Sequence, residues 1–311
     1  MKILVTGGNG FIGSHLLPRL VELGHDVFCL QRYVTGRYVL GAQRTVRTVF
    51  SDLRDNFAVR KVVREVQPEV VIHLASISPV SYSYDHPAEV IETNFMGTVN
   101  LAESCLREVA HFKQFMFAGT SEEYGNHEKM PINENYELRP NSPYAVSKTA
   151  ADQYLQYLCK AYNFPVTILR NFNTYGRKDN THFVVERTIE QMLRKKIVRL
   201  GDPNPVRDLV YVDDHVNSYL TCLNNKKAIG EVFNFCTGRG VSIAGLVETL
   251  TDLTGINAEV LWNTIPKRPL DIACLIGDYS KTKQVLGWQP KFTLKEGLRL
   301  TVDFWKSEIL V

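Results

Sequence analysis

Short apolar runs alternate with amphipathic stretches through the first half of the chain. The runs are rich in β-branched and aromatic residues, and they read "KILVTG", "DVFCLQ", "EVVIHLAS", "FKQFMFAG" and "VTILRNF". Continuous apolar runs of this length are typical of strands that are buried on both faces, and the amphipathic segments between them are typical of helices that cover a sheet. The pattern predicts an α/β fold with a doubly wound parallel sheet.

The alternation breaks down after about residue 172. The rest of the chain has loops, helices, a basic-acidic segment "RDLVYVDD" and a C-terminal third that is punctuated by Gly and Pro. A chain of 311 residues is long enough for two coupled domains. We predict one domain over 1–172, with 207–236 returning to it, and a smaller C-terminal α/β domain over 173–311.

Composition and charge narrow the class of protein. Hydrophobic residues make up 44% and charged residues 22%, and the formal charge of +3 is too small to favour nucleic acid as a partner. The six cysteines have no CxxC spacing, which indicates neither a disulfide framework nor a metal site. The sequence shows neither the profile of a signal peptide nor an apolar run of membrane-spanning length, so we expect a cytoplasmic enzyme without a membrane partner.

The first predicted strand runs into the glycine-rich turn "VTGGNGFIG". Gly7, Gly10 and Gly13 follow a G-x-x-G-x-x-G spacing between this strand and a predicted helix. Glycines at such positions permit a tight turn and close approach of the backbone to a pyrophosphate, and the helix N-terminus offers free N–H groups to the anion. An ordinary glycine turn is the alternative. The position after the first strand favours a Rossmann-type dinucleotide site.

The end of the second strand bears on the choice of dinucleotide. The stretch "CLQRYVTGR" supplies Arg32 and Arg37, and no Asp or Glu occurs between Arg32 and Asp52. Guanidinium groups match a 2′-phosphate, which a carboxylate would repel. We therefore favour NADP over NAD, the alternative being that both arginines are merely exposed. Asp52 is a candidate acceptor for the adenine amino group, or else a loop carboxylate without a partner.

The stretch "NSPYAVSK" is the main candidate for catalysis. Ser142 is a suitable helix cap and Pro143 suits the first turn, which places Tyr144 and Lys148 at i and i+4 on one helix face. A phenol is a poor base at neutral pH, but an adjacent ammonium group and an oxidised nicotinamide both favour the phenolate.

Together these motifs resemble the extended short-chain dehydrogenase/reductase superfamily, in particular its nucleotide-sugar epimerases, dehydratases and reductases. The resemblance covers essentially the whole chain, through "TGGNGFIG", "HLAS", "TNFMGTVNL", "TSEEYG", "SPYAVSK", "RNFNTYG", "RDLVYVDD", "RPLDIACLIGD" and "LGWQPKFTL". It implies a cofactor domain, a C-terminal domain that binds a nucleotide-diphosphate sugar, and transient hydride transfer at sugar C4.

The resemblance also implies roles for individual residues. Tyr144 would be the base on the C4 hydroxyl, Lys148 its electrostatic partner and Thr120 a hydrogen-bond donor to the same oxygen. The implied cofactor contacts are Gly7, Gly10, Phe11, Ile12, Gly13, Arg32, Arg37, Asp52, Leu53, Leu74, Ala75, Tyr144 and Lys148. The implied substrate contacts are Asn94, Ser121, Asn173, Arg207 and Arg268, and no metal is implied. For Asn94, Asn173, Arg207 and Arg268 the alternative is a structural cap or a salt-bridge partner.

The exact reaction depends on Glu122. In the family's 4,6-dehydratases a glutamate at this place removes the C5 proton, and Thr120-Ser121-Glu122 matches the Ser-Glu version of GDP-mannose 4,6-dehydratase. The stretches "GTSEEYG" and "RPLDIACLIGD" also resemble GDP-4-keto-6-deoxymannose reductase, and UDP-glucuronate decarboxylases carry Thr-Ser-Glu as well. A UDP-sugar 4-epimerase needs no carboxylate here. A dinucleotide-binding redox sensor is the non-enzymatic alternative, and a solvated loop carboxylate is the plainest interpretation of Glu122.

The resemblance further implies a homodimer or homotetramer. The helices after "TNFMGTVNL" and "SPYAVSK" form an intersubunit bundle in the family, and we expect Leu101, Leu155 and Leu158 to contribute to it. The alternative is that these leucines pack within the chain.

Overall fold

The chain folds into two units of packed residues. The computed structural model describes residues 1–33, 46–177 and 180–309. Unit 1 comprises Met1–Glu123, Ser142–Arg170 and Val216–Phe233, and unit 2 comprises Tyr124–Asn141, Asn171–His215 and Asn234–Val311. The assignment of one domain to the cofactor and the other to the nucleotide sugar stays a prediction.

Strands and helices alternate in the first half of the chain, as the apolar pattern predicts. The strands are β1 Lys2–Thr6, β2 Asp26–Gln31, β3 Val46–Phe50, β4 Val70–His73, β5 Gln114–Thr120, β6 Val166–Asn171, β7 Asn173–Tyr175, β8 Ile197–Arg199, β9 Val206–Arg207, β10 Leu209–Tyr211, β11 Val232–Phe235, β12 Val241–Ser242, β13 Glu259–Leu261 and β14 Cys274–Leu275. The α-helices are α1 Phe11–Glu22, α2 Asn56–Val66, α3 Val80–Asp85, α4 Pro87–Ile91, α5 Gly97–Glu108, α6 Pro143–Tyr162, α7 Val184–Lys195, α8 Val212–Cys222, α9 Ile243–Thr254, α10 Ser280–Leu286 and α11 Leu294–Ile309. A π-helical turn at Glu92–Met96 precedes α5, and a 3₁₀ turn at Ser121–Glu123 follows β5.

Within the described residues, seven strands form the main sheet, in the order β11-β6-β5-β4-β1-β2-β3. Parallel ladders join β1 to β2 and β4, β2 to β3, and β4 to β5. The order reverses beside β1, and in doubly wound sheets the crevice at the carboxyl ends of the strands near such a reversal holds the ligand. The predicted α/β fold with a doubly wound sheet is confirmed.

The core of unit 1 lies between this sheet and its helices. Leu101 of α5 and Leu155 and Leu158 of α6 are completely buried in it. The prediction that these three leucines contribute to an intersubunit face is therefore wrong. They form part of the apolar stripe that each helix packs inside the chain, so a contact between subunits through α5 or α6 would have to use other residues of these helices.

Unit 2 contains small sheets rather than one large one. β12 and β14 flank β9, β13 pairs with β8 and β10 pairs with β7. Its own apolar cluster centres on Tyr124, Phe172 and Leu275. Among the described residues of the whole chain, no helix combines the length and apolar character needed to cross a membrane.

Candidate active site

The glycine turn between β1 and α1 leaves no room for side chains. Gly7 has a φ of +69°, and a Cβ there would lie 2.7 Å from the backbone nitrogen of Ala75. A Cβ on Gly10 would lie 2.9 Å, and one on Gly13 2.4 Å, from the carbonyl oxygen of Gly7. These are closer than real Cβ contacts, so the turn requires glycine, and its bare backbone suits a pyrophosphate at the start of α1.

The predicted contacts Leu74 and Ala75 lie beside this turn. The Leu74 N–H donates to the carbonyl of Thr6 at 3.1 Å, and the Ala75 N–H donates to the Thr6 hydroxyl at 3.1 Å. Phe11 and Ile12 are the first residues of α1. The glycine turn therefore lies between the end of β4 and the start of α1. The three glycines form a cradle without side chains, which fits a dinucleotide.

Asp52 follows β3 and is paired with arginines. Arg54 Nη2 lies 2.7 Å and Arg32 Nε lies 3.6 Å from Asp52 Oδ2. Hydrogen bonds from Arg54 lower the pKa of Asp52, so the carboxylate is ionised at neutral pH. Asp52 is thus not a carboxylate without a partner. Its contact with adenine stays a prediction, as do the cofactor contacts of Arg32 and of the buried Leu53, while Arg37 lies outside the described residues.

Helix α6 begins where the capping motif predicts. The Ser142 hydroxyl accepts a hydrogen bond from the Ala145 N–H at 3.1 Å, and Pro143 occupies the first turn. Tyr144 and Lys148 follow one turn apart, and both are buried. The predicted helix start is confirmed, and it points both side chains into unit 1.

The environment of Tyr144 keeps its phenol protonated. Burial raises the pKa of Tyr144, hydrogen bonding with Thr120 lowers it, and the nearby Glu122 and Glu123 carboxylates raise it again. A phenol in this setting works as a base only when positive charge is close. Lys148, one turn further along α6, is the cation that the helix supplies.

Glu122 lies on the 3₁₀ turn directly after β5. Only 7% of the residue is exposed, and its backbone N–H donates to the Thr120 hydroxyl at 3.3 Å. The structure therefore brings Thr120, Glu122 and Tyr144 together in unit 1, and the solvated-loop interpretation of Glu122 is wrong. Ser121 is buried on the same turn, and its contact with substrate stays a prediction.

Next to Thr120 lies a cluster of three ionisable residues that the sequence analysis did not identify. Glu123 Oε1 accepts the Thr120 N–H at 2.8 Å, and Arg170 Nε lies 3.0 Å from Asp152 Oδ2 and 3.4 Å from Glu123 Oε2. All three are buried. Asp152 lies four residues after Lys148 on α6, a spacing that could have indicated it, whereas no local signal marks Glu123 or Arg170.

The side-chain amide of Asn94 is hydrogen-bonded to other residues of unit 1. Its Oδ1 accepts the Ile77 N–H at 2.8 Å, and its Nδ2 donates to the Ile77 carbonyl and to the Ser147 hydroxyl at 3.1 Å each. These bonds tie the segment after β4 to α6. The predicted contact of Asn94 with substrate stays a prediction.

The other predicted substrate residues lie in unit 2. Arg207 Nη2 is 3.5 Å and Arg268 Nη1 is 4.0 Å from the same Asp271 oxygen. Asn173 Oδ1 is buried without a hydrogen-bond partner in the described part of the chain. Two guanidinium groups around one carboxylate keep surplus positive charge, which suits a diphosphate.

Comparison with known proteins places the chain among nucleotide-sugar enzymes. It is similar to the UDP-glucose 4-epimerase of Thermotoga maritima, solved with UDP-glucose, with 36% identity, a TM-score of 0.92, and coverage of 99% of this chain and 100% of that one. For the Thermus thermophilus UDP-glucose 4-epimerase in complex with NAD, the identity is 32%, the TM-score 0.90 and the coverage 98% and 99%.

A relative with another reaction matches over the same length. The GDP-6-deoxy-D-mannose reductase of Pseudomonas aeruginosa is 28% identical over 99% of this chain and 98% of its own. The family model described as GDP-mannose 4,6 dehydratase matches residues 4–301. The chain therefore belongs to the GDP-mannose 4,6 dehydratase family, within the NAD(P)-dependent nucleotide-sugar epimerases, dehydratases and reductases of the extended short-chain dehydrogenase/reductase superfamily.

Proposed function

We propose that the chain is a nucleotide-sugar 4,6-dehydratase of the GDP-mannose type. The observation that carries the proposal is the buried Glu122 carboxyl beside Thr120 and Tyr144. A dehydratase needs two proton acceptors, one for the C4 hydroxyl and one for C5. An epimerase needs only the first, and a simple reductase needs a proton donor at the C4 oxygen instead of an acceptor. The match to the GDP-mannose 4,6 dehydratase family supports the same choice.

Each side chain has one task in this reaction. Tyr144 takes the proton of the C4 hydroxyl, Thr120 donates a hydrogen bond to the same oxygen, and the Lys148 ammonium stabilises the phenolate. A bound nicotinamide cofactor supplies acceptance of hydride from C4 and its return at C6. Glu122 would remove the C5 proton, which the C4 carbonyl has made acidic, and pass it to the hydroxide that leaves C6 as water. The proton that Tyr144 took from the C4 hydroxyl would then go to C5, to balance the hydride returned at C6.

The cofactor that we propose is NADP, held at the glycine cradle of Gly7, Gly10 and Gly13. Arg32 lies just after β2 with 46% of its side chain exposed, so its guanidinium group is accessible to a 2′-phosphate. The alternative is NAD, which the related Thermus thermophilus enzyme binds. The two cofactors differ only at the adenosine ribose, where NADP carries a 2′-phosphate and NAD a hydroxyl group. Arg32 would act on this phosphate.

The substrate that we propose is a nucleotide-diphosphate sugar. Arg207 and Arg268 converge on Asp271, and a diphosphate would offer both guanidinium groups a second anionic partner. Asn173 Oδ1, buried without a hydrogen-bond partner among described residues, is suited to accept from a sugar hydroxyl.

Incubation with a panel of nucleotide sugars, followed by mass spectrometry, tests the proposal. We expect a product of GDP-mannose that is lighter by one water, without consumption of added NADPH. Glu122→Gln should abolish this loss, because an amide cannot accept the C5 proton, while reduced cofactor accumulates and is visible by absorbance. Wild-type protein that releases no water from any 6-hydroxy nucleotide sugar would contradict the proposal.

The second candidate is a UDP-sugar 4-epimerase, which the two related epimerase structures favour. In that case UDP-glucose would give a product of unchanged mass, and Glu122→Gln would retain turnover. Stoichiometric NADPH oxidation with a 4-keto-6-deoxy sugar would identify the reductase, the activity of the Pseudomonas aeruginosa relative. Loss of carbon dioxide from UDP-glucuronate would identify a decarboxylase.

A further inference from the structure

We propose that His73 is a positioning residue for this site, whose imidazole joins the glycine cradle to the helix that carries Tyr144. His73 is the last residue of β4 and is buried in unit 1. The inference rests on the proposed function only in that the cradle holds a dinucleotide and Tyr144 acts as the base. The hydrogen bonds of His73 can be measured without any substrate.

Both ring nitrogens of His73 are hydrogen-bonded to threonine hydroxyls. Nδ1 lies 2.6 Å from Thr6 Oγ1, and Nε2 lies 2.9 Å from Thr98 Oγ1. Thr6 ends β1 directly before Gly7, and Thr98 lies in the first turn of α5. All three partners are buried, so water does not compete effectively for these bonds. The imidazole therefore links two elements that are far apart in the chain.

The direction of each bond follows from the protons available. The Thr98 hydroxyl donates its one proton to the Asn94 carbonyl at 2.6 Å, so it can only accept from His73, and Nε2 carries a proton. Burial lowers the pKa of His73 to about 3, and the nearby Lys148 lowers it as well, so the ring has no second proton at neutral pH. Nδ1 therefore accepts from the Thr6 hydroxyl.

The bond with Thr6 fixes one wall of the glycine cradle. The Thr6 oxygen accepts the Ala75 N–H at 3.1 Å, while its own proton is held by His73. The space at Gly7 depends on Ala75, since a Cβ on Gly7 would lie 2.7 Å from the Ala75 nitrogen. A displaced Thr6 hydroxyl would release Ala75 and change the shape of the cradle.

The bond with Thr98 continues to α6. The backbone carbonyl of Asn94 accepts from Thr98, and the side chain of Asn94 donates to the Ser147 hydroxyl at 3.1 Å. Ser147 in turn donates to the Tyr144 carbonyl at 2.7 Å. All donors of this series point from the cradle towards α6, and hydrogen bonds that run in one direction strengthen one another. The series thus couples the position of Tyr144 to that of the cradle.

Other neighbours of the imidazole offer it no hydrogen bond. The ring centre lies 5.9 Å from that of Phe115 and 6.0 Å from that of Phe117. Among the described residues, the two threonines are therefore its hydrogen-bonding partners. A purely space-filling role would depend on the shape of the side chain and not on which of these two bonds is kept.

Nitrogen-15 NMR of histidine-labelled wild-type protein tests the tautomer directly. Thr98→Ser, which keeps the hydroxyl, assigns the His73 signals by the shift that it causes. We expect a protonated Nε2 and an unprotonated Nδ1 from pH 5 to 9, without titration in this range, because burial excludes the charged ring. A proton on Nδ1, alone or together with one on Nε2, would overturn the proposal.

Two substitutions at His73 separate the two bonds. Asparagine places an amide near the position of Nδ1 and can keep the bond with Thr6, whereas glutamine places one near Nε2 and can keep the bond with Thr98. We expect His73→Gln to weaken NADPH binding roughly ten-fold with kcat retained, and His73→Asn to lower kcat roughly ten-fold with NADPH affinity retained. The same profile in both variants would contradict a relay with two distinct ends.

Thr98→Val tests the link to α6, because it removes the hydroxyl and keeps the shape. Thr301→Val is the matched control, since the buried Thr301 donates in the same way to the Gly297 carbonyl, at 2.7 Å, and has no imidazole partner among described residues. We expect kcat to fall roughly ten-fold in Thr98→Val, because a displaced Tyr144 is a poorer base, and to stay near the wild-type value in Thr98→Ser and Thr301→Val.

Equal values of kcat in Thr98→Val and Thr301→Val would overturn the proposal. These kcat values come from whichever reaction the panel of nucleotide sugars reveals. The NMR spectra and the NADPH titrations need no sugar, so they test the role of His73 even if the proposed dehydration does not occur. The wild-type spectra also decide the matter if the variants at His73 do not fold.

Discussion

Gly13→Ala tests whether the glycine turn is built for close backbone contact. Gly13 lies in the first turn of α1, where alanine would ordinarily be the better helix former by about 1 kcal/mol. In this turn, a Cβ would lie 2.4 Å from the Gly7 carbonyl oxygen, 2.6 Å from Gly8 Cα and 2.7 Å from the Gly8 oxygen. Helix propensity and packing therefore act in opposite directions at this position.

Packing decides the outcome. The three atoms are backbone atoms, so no flexible side chain can give way, and the turn has to move by several tenths of an ångström. Overpacking of this kind costs about 1 to 3 kcal/mol, which exceeds the gain in helix propensity over most of that range. The same displacement moves the N–H groups that we propose to bind the pyrophosphate, and we expect an affinity for the dinucleotide at least roughly ten-fold lower, equivalent to about 1.4 kcal/mol.

Fluorescence titration with NADPH and thermal melting measure the two effects. Gly201→Ala is the matched control, because a Cβ there meets no atom within 4 Å and the residue has no positive φ. It should change neither quantity by much. Wild-type affinity in Gly13→Ala would refute the view that α1 and the turn must approach this closely.

The remaining predictions concern catalysis, cofactor choice, stability and assembly. Tyr144→Phe should lower kcat by roughly 10²- to 10⁴-fold with unchanged cofactor affinity, as measured by steady-state kinetics and titration, and ordinary activity would remove Tyr144 from the mechanism. Replacing Arg32 and Arg37 with Ala should weaken NADP binding much more than NAD binding, whereas an equal loss in titrations of both would mean that neither contacts the 2′-phosphate. Burial raises the pKa of Glu186 to about 8 from an ordinary value of 4.5, so the folded state keeps a proton that the unfolded state loses, and stability should fall as the pH rises between these values. Glu186→Gln should flatten this dependence in melting curves recorded from pH 5 to 9, and an unaltered slope would contradict the assignment. We expect sedimentation of a homodimer or homotetramer, and of a monomer for Tyr157→Glu on the exposed face of α6, while a monomeric wild type at micromolar concentration would reject the assembly.

Short-range features could be predicted from the sequence because their causes lie within a few residues. The apolar runs predict the buried strands, because successive residues of a strand face opposite sides of the sheet. When both sides are buried, apolar residues occupy consecutive positions instead of alternating with polar ones. The cap by Ser142 and the proline after it place Tyr144 and Lys148 on one helix face, because the rise of a helix is fixed. The glycine turn was likewise evident, since a close backbone contact excludes every other residue type.

Only the tertiary structure decided what surrounds these residues. "SEEYG" does not distinguish Glu122, beside Tyr144, from Glu123, whose carboxyl group lies 3.4 Å from Arg170 on the neighbouring strand β6. The apolar stripes of α5 and α6 are the same whether they pack against this sheet or a second subunit, and Leu101 shows which occurs. These outcomes depend on strand order and on packing between segments far apart in the chain, so the charges that meet in the core are set by the assembled fold and not by local spacing.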